Sequence, residues 1–273
     1  VSALAFERGG GRLLSGSFDG DALLWDLETR RPVQSFEGHT GPITAIAWNP
    51  WGGSFATASA DQTVRTWDLD TGGQRLILEG HQAEVTGLAY LEGGGALVTA
   101  GYDGALRSWD LATGELLAVR GDPSAQFTIL GATSSGGMLA AGDEQGRLHL
   151  WSPASAVAAR VIQGGRSAVF ALALDRDGAR IASGGIDRSV SLWNTASTTS
   201  GSLAAGHEGV ATAVDYSPDG QRVVSAGWDG VVRTWDRHTG EQLAAWTAHV
   251  DTIETLRVSP DGGSVATGGA DHS

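Results

Sequence analysis

The chain has 273 residues, 41% of them hydrophobic, with 41 glycines and 7 prolines, a composition that can fill a sizeable core in a turn-rich β protein. Its formal charge is −13, and all 18 basic residues are arginine, so phosphate backbones are disfavoured as general partners. The absence of cysteine excludes disulfides, thiol catalysis and Cys-ligated metal, and no run approaches the roughly 18 apolar residues of a membrane span.

Taken in order, the chain repeats one unit. A first predicted strand carries an apolar column: Leu4, Ile46, Leu88, Leu130, Leu172, Val214 and Leu256, spaced 42 residues apart. Turn clusters follow in one phase, among them Asn49-Pro50-Trp51-Gly52-Gly53 and Ser217-Pro218-Asp219-Gly220. A second strand carries Leu13, Phe55, Leu97, Leu139, Ile181, Val223 and Val265. Three residues on, only Gly or Ala occurs (Gly16, Ala58, Ala100, Gly142, Gly184, Ala226, Gly268), which implies close approach of backbones. A tight turn holds Asp19, Asp61, Asp103, Asp187, Asp229 and Asp271, followed by Gly in several copies, a strong hairpin signal. The third strand ends on Trp25, Trp67, Trp109, Trp151, Trp193 and Trp235. A second turn set, such as Ala112-Thr113-Gly114, then leads to an outer strand. Four short antiparallel strands repeated about every 40 residues are the pattern of a propeller blade.

Gly38-His39, Gly80-His81 and Gly206-His207, with the Trp-Asp strand ends, resemble the WD-repeat β-propeller family over essentially the whole chain. The expected fold is therefore all-β, a seven-bladed propeller of four-stranded antiparallel blades. Expected blade boundaries are 1–38, 39–80, 81–122, 123–164, 165–206, 207–248 and a partial 249–273. The seventh blade is expected to hold its first two strands only, as in a fragment of a longer polypeptide.

The resemblance also implies a hydrogen-bonded Trp–Ser/Thr–His–Asp tetrad, complete in blades two, three and six. The matching residues are His39, Thr57, Asp61 and Trp67; His81, Thr99, Asp103 and Trp109; and His207, Ser225, Asp229 and Trp235. A buried network of this kind stabilises when fully satisfied and is costly when half made. Blade four has Pro123, Ala141 and Gln145 at these places, and blade five keeps Ser183, Asp187 and Trp193 but has Gly165 for His. A hydrolase triad would occur once, beside an oxyanion hole, whereas this set recurs and is tied each time to a Trp. Asp68, Asp70 and Glu79 superficially fit a calcium loop, but Gly72 stands at the fifth position and no helices flank the segment. His149, His238 and His272 stand apart in the sequence, so no metal site and no cofactor is expected.

With the tetrads structural, function is expected on the surface. In WD repeats the face carrying the second-to-third-strand turns binds peptides, which points to Phe18, Tyr102, Ile186 and Trp228 just before the turn Asp, with Phe170 beside them. Glu84, Glu144 and Glu254 would add carboxylates. Pro42, Thr44, Thr86, Gln126, Thr128 and Thr252 belong to the same first-strand columns. The expectation is a non-enzymatic scaffold for protein or peptide partners, as a module of a larger regulatory protein, with a groove for an apolar anchor near a Lys or Arg. The competing reading of these side chains is that they fold back over neighbouring blades. Nucleic acid, membrane and small-molecule ligands are not expected. The other readings are a propeller enzyme or small-ligand binder using a central channel, and a purely architectural spacer. No residue pattern assigns a compartment.

Overall fold

The computed structural model describes residues 1–133, 136–153, 160–163, 167–196, 200–202 and 206–271. The chain divides into two compact units, Val1–Leu130 and Gly131–Ser273.

The first unit holds three antiparallel four-stranded sheets, each in sequence order. They are β1 (Ala3–Phe6), β2 (Arg12–Gly16), β3 (Ala22–Asp26) and β4 (Arg31–Phe36); β5 (Ile43–Trp48), β6 (Ser54–Ser59), β7 (Val64–Asp68) and β8 (Gln74–Leu78); and β9 (Val85–Tyr90), β10 (Ala96–Gly101), β11 (Ala105–Asp110) and β12 (Leu116–Gly121). A fourth sheet begins with β13 (Phe127–Ala132), which crosses the boundary, and continues with β14 (Leu139–Asp143), β15 (Arg147–Trp151) and β16 (Arg160–Gln163). The second unit then holds β17 (Val169–Leu174), β18 (Arg180–Gly185), β19 (Val190–Asn194) and β20 (Ser200–Ser202), followed by β21 (Ala211–Tyr216), β22 (Arg222–Gly227), β23 (Val231–Asp236) and β24 (Gln242–Thr247). A final pair, β25 (Ile253–Val258) and β26 (Val265–Gly269), forms a two-stranded sheet.

This corrects the expected blade count. Six four-stranded sheets make six blades, and the chain is not a seven-bladed propeller with a truncated seventh. The apolar columns miscounted because a hairpin satisfies them: Leu256, Val265 and Gly268 keep the phase in β25 and β26 without any sheet of four strands around them.

The columns work as burial patterns. Phe55, Leu97, Ile181 and Val223 on the second strands are fully buried, each contributing about 1.5–3 kcal/mol relative to exposure. In the first unit Phe36, Phe55 and Trp67 meet edge to face or stacked between blades one and two, with Phe36 and Phe55 centroids 4.7 Å apart. The Gly/Ala column is small because adjacent blades touch there. A methyl on Gly16 would stand 2.5 Å from Ile43 Cγ2, and one on Gly184 would stand 2.9 Å from Ala211 Cβ. The turns before β3, β11 and β23 use Gly20, Gly104 and Gly230 at positive φ, while Gln62 and Arg188 take the same left-handed place in blades two and five.

A second column joins consecutive blades through hydroxyls. Ser2 Oγ donates to the Ile43 carbonyl at 2.5 Å, Thr44 Oγ1 to Val85 at 2.5 Å, and Thr86 Oγ1 to Phe127 at 2.7 Å. In the second unit Thr212 Oγ1 donates to the Ile253 carbonyl. Phe170 stands in this same column and has no hydroxyl to give.

Candidate functional site

In blades two, three and six the third-strand Trp, the second-strand hydroxyl, the His before the blade and the turn Asp meet. Trp67 Nε1 donates to Thr57 Oγ1 at 2.9 Å, Trp109 to Thr99 at 3.0 Å, and Trp235 Nε1 to Ser225 Oγ at 2.9 Å. The same oxygens lie 2.8, 2.7 and 2.8 Å from Nε2 of His39, His81 and His207. Each Nδ1 faces a carboxylate: Asp61 at 2.8 Å, Asp103 at 3.0 Å and Asp229 at 3.1 Å. The indole donates to the hydroxyl, the hydroxyl donates to Nε2, and Nδ1–H donates to the carboxylate.

Burial holds all three imidazoles below their ordinary pKa, against the pull of their carboxylates, so they are neutral at pH 7. Burial alone would raise the carboxyls. Hydrogen bonds outweigh it, from the Thr63 hydroxyl and then the imidazole at Asp61 and from the backbone and then the imidazole at Asp103 and Asp229, and hold all three below the usual carboxylate range. In blades three and six an arginine joins the set. Arg107 Nη1 and Arg233 Nη1 donate to Asp103 and Asp229 Oδ2 at 2.7 Å and stand 2.8 Å from Nδ1, further disfavouring a charged ring. In blade two Thr63 fills that role, its Oγ1 donating to Asp61 Oδ1 at 2.7 Å.

The other repeats keep parts of the network. Trp25 donates to Ser15 and Trp193 to Ser183, both at 2.8 Å. Gly165, the blade-five residue in the His column, lies outside the described residues, as does His272. His249 reaches Asp271 at 2.8 Å and Thr267 at 2.9 Å. Blade four builds something different. Asp143, fully buried, accepts Arg147 Nε at 2.6 Å and His149 Nε2 at 2.8 Å on one oxygen, and the backbone N–H groups of Gln145 and Arg147 on the other. His149 stacks on Trp151 with centroids 5.7 Å apart. His149 is thus not an isolated histidine. It occupies the column of Arg65, Arg107 and Arg233, and Asp143 the column of Ser59 and Gly101, a signal present in the sequence but not used.

The rim residues divide by exposure. Phe18 in the first unit is 61% exposed, and Ile186 and Trp228 in the second are 49% and 53% exposed. Tyr102 and Phe170 are half-buried. The Trp228 backbone N–H donates to the Val210 carbonyl at 3.0 Å. Val250, in the second unit, is 96% exposed and carries no repeat signature. Glu144 is exposed. Glu84 is half-buried, and burial pushes its carboxyl up. Glu254 accepts the Thr252 hydroxyl at 2.8 Å. Thr44 and Thr86, named with this face from sequence, direct their hydroxyls to the next blade instead.

A family model described as the IFT122 first beta-propeller matches residues 1–273. The chain belongs to this family of WD-repeat-type propellers. The family is of the scaffold type. No curated protein matches the chain.

Within this propeller the segment resembling a calcium loop has its first carboxylate committed. Asp68 Oδ1 accepts the N–H groups of Asp70 and Thr71 at 3.0 and 2.8 Å, and Oδ2 accepts Arg75 Nε at 2.9 Å. The Thr71 N–H and the Arg75 guanidinium hold Asp68 at about 2. Among the described residues no group of three His, Asp or Glu side chains could hold a metal ion.

Proposed function

We propose that the propeller is a non-enzymatic scaffold that takes protein or peptide partners on the face of its second-to-third-strand turns. The observation that carries this is Trp228, an exposed indole on a turn whose next residue, Asp229, is anchored by His207 and Arg233. A large aromatic on an anchored turn brings contact area with few side-chain torsions to immobilise. In the second unit Ile186, Trp228 and Val250 supply apolar surface, and Asp187, Glu208 and Asp251 are exposed on the same turns and blade entries. This combination suits a peptide with an apolar anchor and a neighbouring Lys or Arg.

The tetrads support a non-catalytic reading. Thr57, Thr99 and Ser225 are completely buried, and each hydroxyl oxygen already accepts an indole N–H, so none is presented to a substrate. The test is selection of displayed peptides on the purified chain, followed by titration of a selected peptide against Trp228→Ala and Ile186→Ala. Binding that survives both substitutions unchanged removes this face as the site.

A further inference from the structure

The chain contains a complete internal receptor for one of its own arginines. Arg12 lies over the Trp48 ring, its Cζ 5.5 Å from the centroid. Its Nε and Nη2 donate to Glu7 Oε2 and Oε1 at 2.9 and 2.5 Å. An indole face and a carboxylate thus hold one guanidinium, a planar fork well suited to both contacts at once.

Three residues beyond Trp48, the turn from β5 to β6 presents Trp51, 70% exposed. The equivalent positions of the other repeats are Gly9, Gly93, Ser135, Asp177, Asp219 and Asp261, so this indole has no part in the repeat pattern. The turn is firmly built. Asn49 Oδ1 accepts the Trp51 N–H at 3.0 Å, Gly52 N donates to the Asn49 carbonyl at 2.9 Å, and Gly52 and Gly53 both take positive φ. One edge of the indole lies against Gly94 of the β9–β10 turn, where any side chain would collide with the ring. That facing turn, closed by Gly94 N–H to the Leu91 carbonyl at 3.0 Å, carries exposed Glu92 two residues from the contact. No cation among the described residues pairs with Glu92. An exposed indole and an exposed carboxylate are therefore carried on two adjoining turns of the first unit, the Trp51 ring against Gly94 and Glu92 two residues before it.

We propose that Trp51 and Glu92 receive an arginine side chain from a basic segment of a partner protein. Charge favours this occupant, because the chain carries a net charge of −13. The site lies on first-to-second-strand turns of the first unit, whereas Trp228 belongs to a second-to-third-strand turn of the second unit, so the two readings fail separately.

The experiment is a titration of the isotopically labelled chain with hexa-arginine and, separately, hexa-lysine, following the Trp51 indole resonance assigned by its loss in Trp51→Phe. Hexa-arginine is expected to shift that resonance saturably, with an affinity about fivefold lower for Trp51→Ala, the loss of one exposed cation–π contact. Glu92→Gln should weaken binding similarly, and Trp228→Ala should leave it unchanged. Both substitutions fall on exposed turn positions and leave the core intact. Equal perturbation by hexa-lysine would reveal diffuse charge attraction and overturn the proposal. So would affinity unchanged in both Trp51→Ala and Glu92→Gln, or a response to an uncharged proline-rich peptide with hexa-arginine silent.

Discussion

Thr86 Oγ1 donates a hydrogen bond to the Phe127 carbonyl, 41 residues further along the chain and on the first strand of the next sheet. The bond runs between blades rather than within one, and it makes a repeat position structural that would otherwise look free for binding. Thr86→Val keeps the shape and removes the donor. About 1 kcal/mol of stability should be lost in urea unfolding, rising towards 3 kcal/mol if water cannot reach the freed carbonyl. No change at all would show that the bond carries no net weight.

Thr99→Ala should cost more. It leaves the Trp109 indole N–H and His81 Nε2 without their shared partner in a fully buried place, about 2–4 kcal/mol in total. Adding His81→Ala should cost less than the two single losses combined, because the second change removes a group already stranded. A double-mutant cycle in denaturant measures the difference, and strict additivity would show that the four side chains do not act together.

Stability should decline on acidification before Asp61, Asp103 and Asp229 titrate. His39, His81 and His207 have folded-state pKa values below the unfolded value of about 6.5, so the unfolded chain binds more protons once pH falls past that point. The melting temperature should be flat from pH 8 to 7 and fall below about 6.5. The carboxylates act in a lower window. Asp61, Asp103 and Asp229 have depressed values, so their contribution is present above about 3.9 and is lost as pH falls through their folded values. A thermal series from pH 8 to 2 checks both, and a melting temperature constant down to pH 5 would refute the histidine part.

Blade four should be the most sensitive to a single charge deletion. Asp143→Ala removes the fully buried carboxylate that Arg147 and His149 share, and about 3 kcal/mol should be lost. His149→Ala should cost less, since Arg147 still neutralises the carboxylate. Chemical denaturation of the two variants decides the order.

The repeat made most of the architecture legible. Six Trp residues in phase placed the third strands, the Asp turns placed the hairpins, and the alternation of apolar and Gly/Ala columns placed buried strands and blade contacts. The count of blades was not legible, because Leu256 and Val265 satisfy the columns of a blade that their two strands do not form. Blade four was misjudged for a related reason. Comparing only the four tetrad columns showed Pro123, Ala141 and Gln145 as a loss, while the replacement chemistry sat in neighbouring columns at Asp143 and His149. Exposure was the least legible property. Phe18, Tyr102, Ile186 and Trp228 share one column, yet Tyr102 is half-buried and the others stand out, because the surroundings of each turn differ. Trp51 lay inside a cluster that sequence treats simply as a turn.

The placement of the indoles has an optical consequence. Trp67, Trp109 and Trp235 are buried and bonded to hydroxyls, whereas Trp51 and Trp228 face water on separate turns. These five indoles therefore fall into two kinds of fluorophore, one sealed from a collisional quencher such as acrylamide and one open to it. A ligand that shields an exposed indole will reduce quenching without moving the emission of the buried set, while loss of the fold will shift that buried set to the red. The two events can be followed in one cuvette with no added label.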